Sequence, residues 1–126
     1  MHRILIVEDT PIIREPMARL LRSEGFAVDS AANGVEAIAS LGQNPADLVL
    51  LDVLMPKMNG VTFLETFRAD ARWTDVPVIA VTGVLDSTWL LRLRELKVRT
   101  VIHKGRFDLD GLLTEVHRHL PQALPV

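Results

Sequence analysis

Five strand-like runs, each followed by a helix-length segment, constrain this chain more than any other feature. Ile4-Leu-Ile-Val7, the run from Asp47 to Leu51, and Pro77-Val-Ile-Ala-Val81 are nearly unbroken aliphatic stretches. They lack the polar alternation of a strand with one wet face, so each reads as a strand covered on both sides. Phe26 to Ser30 and Arg99 to His103 supply two shorter runs. Between them lie helical patterns. Thr10 and Pro11 read as N-cap and first helical residue, Ile13, Met17, Leu20 and Leu21 follow at helical spacing, and Gly25 ends the segment. Pro16 falls inside this helix and removes one donor, which predicts a kink or an opened first turn. Asn33-Gly34 opens a second helix through Ala37, Ile38 and Leu41, and a third runs from Gly60 to about Ala69 with Phe63, Leu64 and Phe67 inward. A leucine-rich helix covers about Asp86 to Leu96, and Asp108 caps a last one whose stripe is Leu109, Leu112, Leu113, Val116 and Leu120.

Parallel strands need helix-length crossovers, so this alternation predicts an α/β fold: a parallel sheet with helices on both faces. Such sheets bind ligands beyond the C-terminal ends of their strands, where strand order reverses. At 126 residues the chain has the length of one domain, expected to span 1–120, with 121–126 as a short frayed tail. With 48% hydrophobic and 24% charged residues it has the composition of a globular chain. A net charge of −2 without a Lys/Arg cluster gives no pull toward nucleic acid or anionic lipid. The absence of cysteine excludes disulfides and thiolate metal sites. No signal-like or membrane-length apolar stretch is present, and a cytoplasmic location is the default expectation.

The chemistry gathers at the predicted strand ends. Glu8 and Asp9 follow the first strand, Asp52 the third, Thr82 and Gly83 the fourth, and Lys104 the fifth. Each has an ordinary reading alone: a capping acid, a turn residue, a β-favouring threonine, a surface lysine. One fold places them all at one edge, and the joint reading is a site for Mg²⁺ and a phosphoryl group. Three carboxylates carry about −3, which repels an anionic donor. Adding about +2 from Mg²⁺ and about +1 from Lys104 brings the site near neutrality. A carboxylate can then act as the nucleophile toward phosphorus. The Thr82 hydroxyl and the Gly83 N–H are placed to contact the phosphoryl oxygens, a contact that differs between two states and so can act as a switch.

These residues resemble the receiver domains of response regulators in two-component signalling. The likeness covers essentially the whole chain and rests on Ile-Leu-Ile-Val-Glu8-Asp9, Leu-Val-Leu-Leu-Asp52-Val-Leu-Met-Pro56-Lys-Met-Asn-Gly60, Pro-Val-Ile-Ala-Val-Thr82-Gly83, and Lys104 ahead of the last helix. The resemblance implies a flavodoxin-like doubly wound sheet of strand order 2-1-3-4-5 with five helices. It implies that Asp52 accepts a phosphoryl group from a histidine kinase or phosphotransfer protein. Glu8, Asp9, Asp52 and the Leu54 carbonyl would hold Mg²⁺, while Thr82, Lys104 and the N–H groups of Val53 and Gly83 would contact the phosphoryl group. Phosphorylation and slow dephosphorylation would then be supported by the domain's own site.

Three positions depart from the family pattern. Gly105 follows Lys104 where a proline with a cis bond is usual, so this loop is expected to run trans or to use glycine's backbone freedom. Val101 replaces the usual aromatic of the switch, and Lys97 replaces the glycine that commonly ends the fourth helix. Trp89, Leu93 and Leu96 share one helical face while Leu91 points nearly opposite. Trp89, Leu90, Leu91 and Val101 are therefore the expected output surface, with homodimerisation through the fourth helix, fifth strand and fifth helix as one use of it. With no direct contact to nucleic acid or membrane and no output region within these residues, output would come by binding a downstream protein, by passing the phosphoryl group on, or through an output domain outside this sequence. Leu54 and Val84 are expected to hinder water attack on the phosphoryl group. None of the four histidines has metal-ligand spacing; His103 is placed at the site's rim and His117 and His119 on a solvated helix face. The alternatives are a degenerate receiver that binds proteins without phosphorylation, and a flavodoxin-like electron carrier. The acidic Glu8-Asp9-Thr10-Pro11 turn argues against the carrier, since it would repel a flavin phosphate.

Overall fold

The continuous aliphatic runs become the inner strands of a single parallel sheet. The computed structural model describes residues 2–53, 59–83, 87–106 and 108–120. Its strands are β1 (Arg3–Val7), β2 (Ala27–Ala31), β3 (Leu48–Leu51), β4 (Val78–Thr82) and β5 (Val98–His103). Its helices are α1 (Pro11–Ser23), α2 (Gly34–Gln43), α3 (Gly60–Ala69), α4 (Ser87–Glu95) and α5 (Leu109–His119). Strand order is β2-β1-β3-β4-β5, as the family resemblance implies. Every residue of β3 and β4 is buried, whereas β5, at an edge, is mostly half-buried.

Because side chains alternate across a strand, each strand feeds two cores. Leu5, Val7, Val49, Leu51, Val78 and Ala80 pack with Leu41 of α2, Phe63, Leu64 and Phe67 of α3, and Leu93 of α4. Ile4, Ile6, Leu48, Leu50, Ile79 and Val81 face Met17 and Leu21 of α1 and Leu112 and Val116 of α5. The sheet is thus covered on both sides, and its ladder polar groups are shielded from water. Stacked rings extend the first core: Phe63 lies 5.4 Å from Phe67, and Phe67 lies 5.5 Å from Trp73.

Several local expectations are refined. Thr10 occupies the N-cap position of α1, but its side chain makes no capping bond; its carbonyl accepts from the N–H groups of Ile13 and Arg14. Helix α1 continues as one helix through Pro16, which has no N–H to donate. Thr82 is the last residue of β4 rather than the first beyond it. Two short 3₁₀ turns, Ala71–Trp73 and Lys104–Arg106, were not anticipated from periodicity. Leu54, Val84 and the 121–126 tail lie outside the described residues.

Arg68 ties two loops to the end of α3. Its guanidinium donates to the carbonyls of Leu96, Trp73, Thr74, Val76 and Lys97 at 2.7–3.2 Å. Lys97 itself takes a left-handed conformation at φ 62°, so the position keeps the backbone of a glycine without being one. Lys97→Gly should relieve that strain while leaving the carbonyl that Arg68 grips. We expect it to raise unfolding free energy by about 0.5–1 kcal/mol in urea denaturation.

Candidate functional site

The site begins with how the strands stop. Beyond the end of β1, the Glu8 N–H donates to the Ala31 carbonyl at 3.0 Å, and beyond β3 the Asp52 N–H donates to the Val7 carbonyl at 2.8 Å. These bonds continue the ladder past each strand and fix the two acids side by side at the point where strand order reverses. Arg14 donates to the Glu8 carbonyl at 2.7 Å from α1, which holds the same turn from outside. Glu8 and Asp52 are 2% and 3% exposed, and Asp9 is half-buried beside them. One carboxylate oxygen from each of Glu8, Asp9 and Asp52 lies within 4.8 Å of the others.

Lys104 closes the cluster from β5. Its ammonium donates to Asp52 Oδ2 at 3.0 Å and to Glu8 Oε1 at 3.2 Å, so one cation bridges two buried acids. Burial works against the Lys104 charge, but the hydrogen bond and charge of Asp52 outweigh it, with Glu8 adding to them; its proton is held more tightly than usual. Glu8 moves the other way. Burial, then the hydrogen bond and charge of Asp52, push its carboxyl up to about 7 against the pull of Lys104. Without a further cation, one ammonium leaves the two acids under-compensated, and a proton on Glu8 relieves them. Three hard oxygen donors without thiolate or imidazole are a donor set suited to Mg²⁺.

Thr82 is fully buried at the end of β4. Ala80 pairs with Leu51, so Thr82 reaches two residues further along the same edge, and it pairs in turn with His103 just before Lys104. Val53 is buried next to Asp52, and Gly83 is exposed beyond Thr82. The fold therefore gathers Glu8, Asp9, Asp52 and Lys104 directly, with Thr82, Val53 and Gly83 along the same rim; Leu54 lies outside the described residues.

The expected output residues are elsewhere. Trp89 and Val101 pack partly against the core, and Leu90 and Val101 line a hollow with Arg94 and Arg99. Leu91 is 59% exposed, as its place opposite Trp89 and Leu93 requires.

Gly60 carries a role that sequence reading did not assign. Its N–H donates to the Val53 carbonyl at 2.8 Å, and a Cβ there would meet Val53 Cα at 2.6 Å. Only glycine lets α3 start so close to the acid-bearing strand end. The repeated spacing of hydrophobic residues carries no trace of that approach.

The raised Glu8 carboxyl has a measurable consequence. Between its ordinary 4.5 and about 7 the folded chain binds this proton more than the unfolded chain does. Stability from it is full below about 4.5 and is lost as pH rises through about 7. In chelator-treated protein, wild type should lose up to about 3 kcal/mol relative to Glu8→Gln between those limits, measured by denaturation across pH.

Comparison with known proteins agrees with this geometry. The response regulator receiver domain family matches residues 4–117. The chain is 42% identical to the sensory transduction protein RegX3 of Mycobacterium tuberculosis over 95% of its own length and 63% of that protein's. It is 36% identical to the DNA-binding dual master transcriptional regulator RpaA of Synechocystis, over 67% of this chain and 35% of RpaA. The chain thus spans only about a third of the length of some curated relatives and under two thirds of others. Among solved structures, the chemotaxis protein CheY4 of Vibrio cholerae superposes with a TM-score of 0.89 at 27% identity, covering 95% of this chain and 99% of that one. With its sheet order, its strand-end acids and this family match together, the chain belongs to the response regulator receiver domains of two-component systems.

Proposed function

We propose that Asp52 is the phosphoacceptor of a Mg²⁺-dependent switch, charged by a histidine kinase or phosphotransfer protein. The observation that carries this reading is the Lys104 ammonium bridging Asp52 and Glu8 within a cluster of three carboxylates. An Asp52 oxygen attacks phosphorus, the bond from phosphorus to the donor nitrogen breaks, and the donor imidazole leaves with the electron pair. Glu8, Asp9 and Asp52, with the Leu54 carbonyl that the family resemblance implies, would hold Mg²⁺, which would supply the positive charge that an anionic donor needs. Lys104 stays as the protein's counter-charge to the phosphoryl oxygens. Thr82 and the N–H groups of Val53 and Gly83 contact the same oxygens from the rim. As a ligand to Mg²⁺, Glu8 would have to be ionised and would give up its proton.

The signal is read at the α4–β5 side. Thr82 pairs with His103 on β5, so a shift of Thr82 toward a phosphoryl group is felt on the strand that carries Val101. Leu91, Trp89 and Leu90 on α4, with Val101, form the surface on which a downstream protein or a second copy docks. The phosphorylation-independent alternative, suggested by Gly105 and Val101, is not favoured, because Asp52, the flanking acids and the lysine are assembled together. The DNA binding named for RpaA belongs to a protein of which this chain matches about a third, 35%.

Incubation with Mg²⁺ and acetyl phosphate should add the mass of one phosphoryl group to the wild type and none to Asp52→Asn. Chelating the metal should abolish the addition. Modification that persists in Asp52→Asn would remove Asp52 as acceptor. Leu91→Lys should weaken self-association or partner binding by roughly tenfold without changing the phosphorylation rate, since it places a charge on the docking face alone.

A further inference from the structure

We infer that His103 is a positioning residue for Lys104: its imidazole holds the short turn that carries the lysine, and Gly105 is present to give that ring room. The inference rests on the phosphoacceptor reading above, in which Lys104 contacts the phosphoryl group. Three observations meet at this turn. The Gly105 N–H donates to His103 Nδ1 at 3.0 Å, spanning Lys104. A Cβ on Gly105 would lie 3.0 Å from both Cε1 and Nδ1 of the same ring. Among the described residues there is no cis peptide bond, and Gly105 is not one of the residues with positive φ. Of the two routes open to a glycine after this lysine, the chain takes the trans one, and what it uses is glycine's small size rather than its backbone freedom.

The physical need is clear from the turn itself. Lys104–Arg106 is a 3₁₀ turn following the edge strand β5. The first N–H groups of such a turn have no partner inside it and are commonly satisfied by a side chain just upstream. Here the acceptor is an imidazole nitrogen, so His103 carries its proton on Nε2 and keeps Nδ1 open. The bond fixes the direction in which the chain leaves β5, and so the point from which the lysine stem starts. That stem has four rotatable bonds, and its ammonium must meet Asp52 at 3.0 Å and Glu8 at 3.2 Å. A turn with one defined conformation reduces the arrangements the stem must give up, which favours the bridging geometry. His103 does this without touching the reacting atoms. It is the strand partner of Thr82, so the same residue anchors the lysine turn and borders the switch threonine.

The test uses His103→Leu, which keeps bulk but removes the acceptor, and His103→Asn, whose side-chain oxygen can accept from the N–H two residues on. Gly105→Ala keeps the donor and displaces the ring. Phosphorylation of Asp52 by acetyl phosphate, in which the phosphorus–oxygen bond to acetate breaks as that to Asp52 forms, is followed at saturating Mg²⁺. We expect His103→Leu and Gly105→Ala to slow it roughly tenfold and His103→Asn to restore it to within about twofold of wild type. The double variant should be no slower than either single one, because both remove the same bond. Mg²⁺ affinity and thermal stability should remain near wild type, which a general loss of structure would not allow. Amide exchange at Gly105 should be protected in wild type and His103→Asn, and fast in His103→Leu. A His103→Leu protein that is phosphorylated at the wild-type rate overturns the inference and leaves the acceptor role of Asp52 standing. An unprotected Gly105 amide in wild type also overturns it. A wild type that Mg²⁺ and acetyl phosphate leave unmodified overturns the acceptor reading and the role of His103 with it.

Discussion

One ammonium set between two buried acids is the interaction on which the rest of this structure depends. Lys104 meets Asp52 and Glu8 where water is nearly excluded, and neither acid would be tolerated there alone. The sheet supplies the geometry: β1 lies between β2 and β3, and one further ladder bond on each side, Glu8 to Ala31 of β2 and Asp52 to Val7 of β1, fixes the two acids at one edge. The fifth strand then delivers the lysine from the far side of β4. The arrangement is under-neutralised as it stands. Glu8, held up near 7, records that deficit, which a hard divalent cation would remove.

Such a site ties function to topology in a direct way. Parallel strands place all their C-terminal ends on one edge, so residues far apart in the chain arrive there without any loop having to reach. The cores on the two faces of the sheet hold those ends rigidly. Outside those cores lie the exposed Gly83, the turn at Lys104–Arg106 and the outward Leu91 of α4. On the proposed reading, a signal from Asp52 would reach the α4 surface by way of Thr82 and β5, where Val101 offers an aliphatic side chain in place of a ring.

Much of this was legible in the sequence, and the pattern of what was not is instructive. Continuous aliphatic runs revealed β1, β3 and β4 because both faces of those strands are buried. The acids and the lysine were visible because they interrupt those runs at their ends. The helix faces of α4 and α5 followed from spacing alone, with Leu93, Leu112 and Val116 buried and Leu91 exposed. Contacts outside the repeating pattern left no periodic signal: Arg68 gripping five carbonyls, Arg14 on the Glu8 carbonyl, the backbone of Gly60 against that of Val53, and the Gly105 N–H on the His103 ring two residues back. Lys97 shows the same limit from the other side. Its left-handed backbone is imposed by the turn it closes, against the preference of a lysine, and no local rule would have assigned it.

The shared charge of Glu8, Asp52 and Lys104 can be read most directly from the carboxyl carbon of Glu8, followed by NMR as pH is varied in metal-free protein. The wild type should show a midpoint near 7, moving toward the ordinary 4.5 in Asp52→Asn and when Mg²⁺ is added. A Glu8 that titrates at its ordinary value in metal-free wild type, unmoved by either change, would contradict that shared charge.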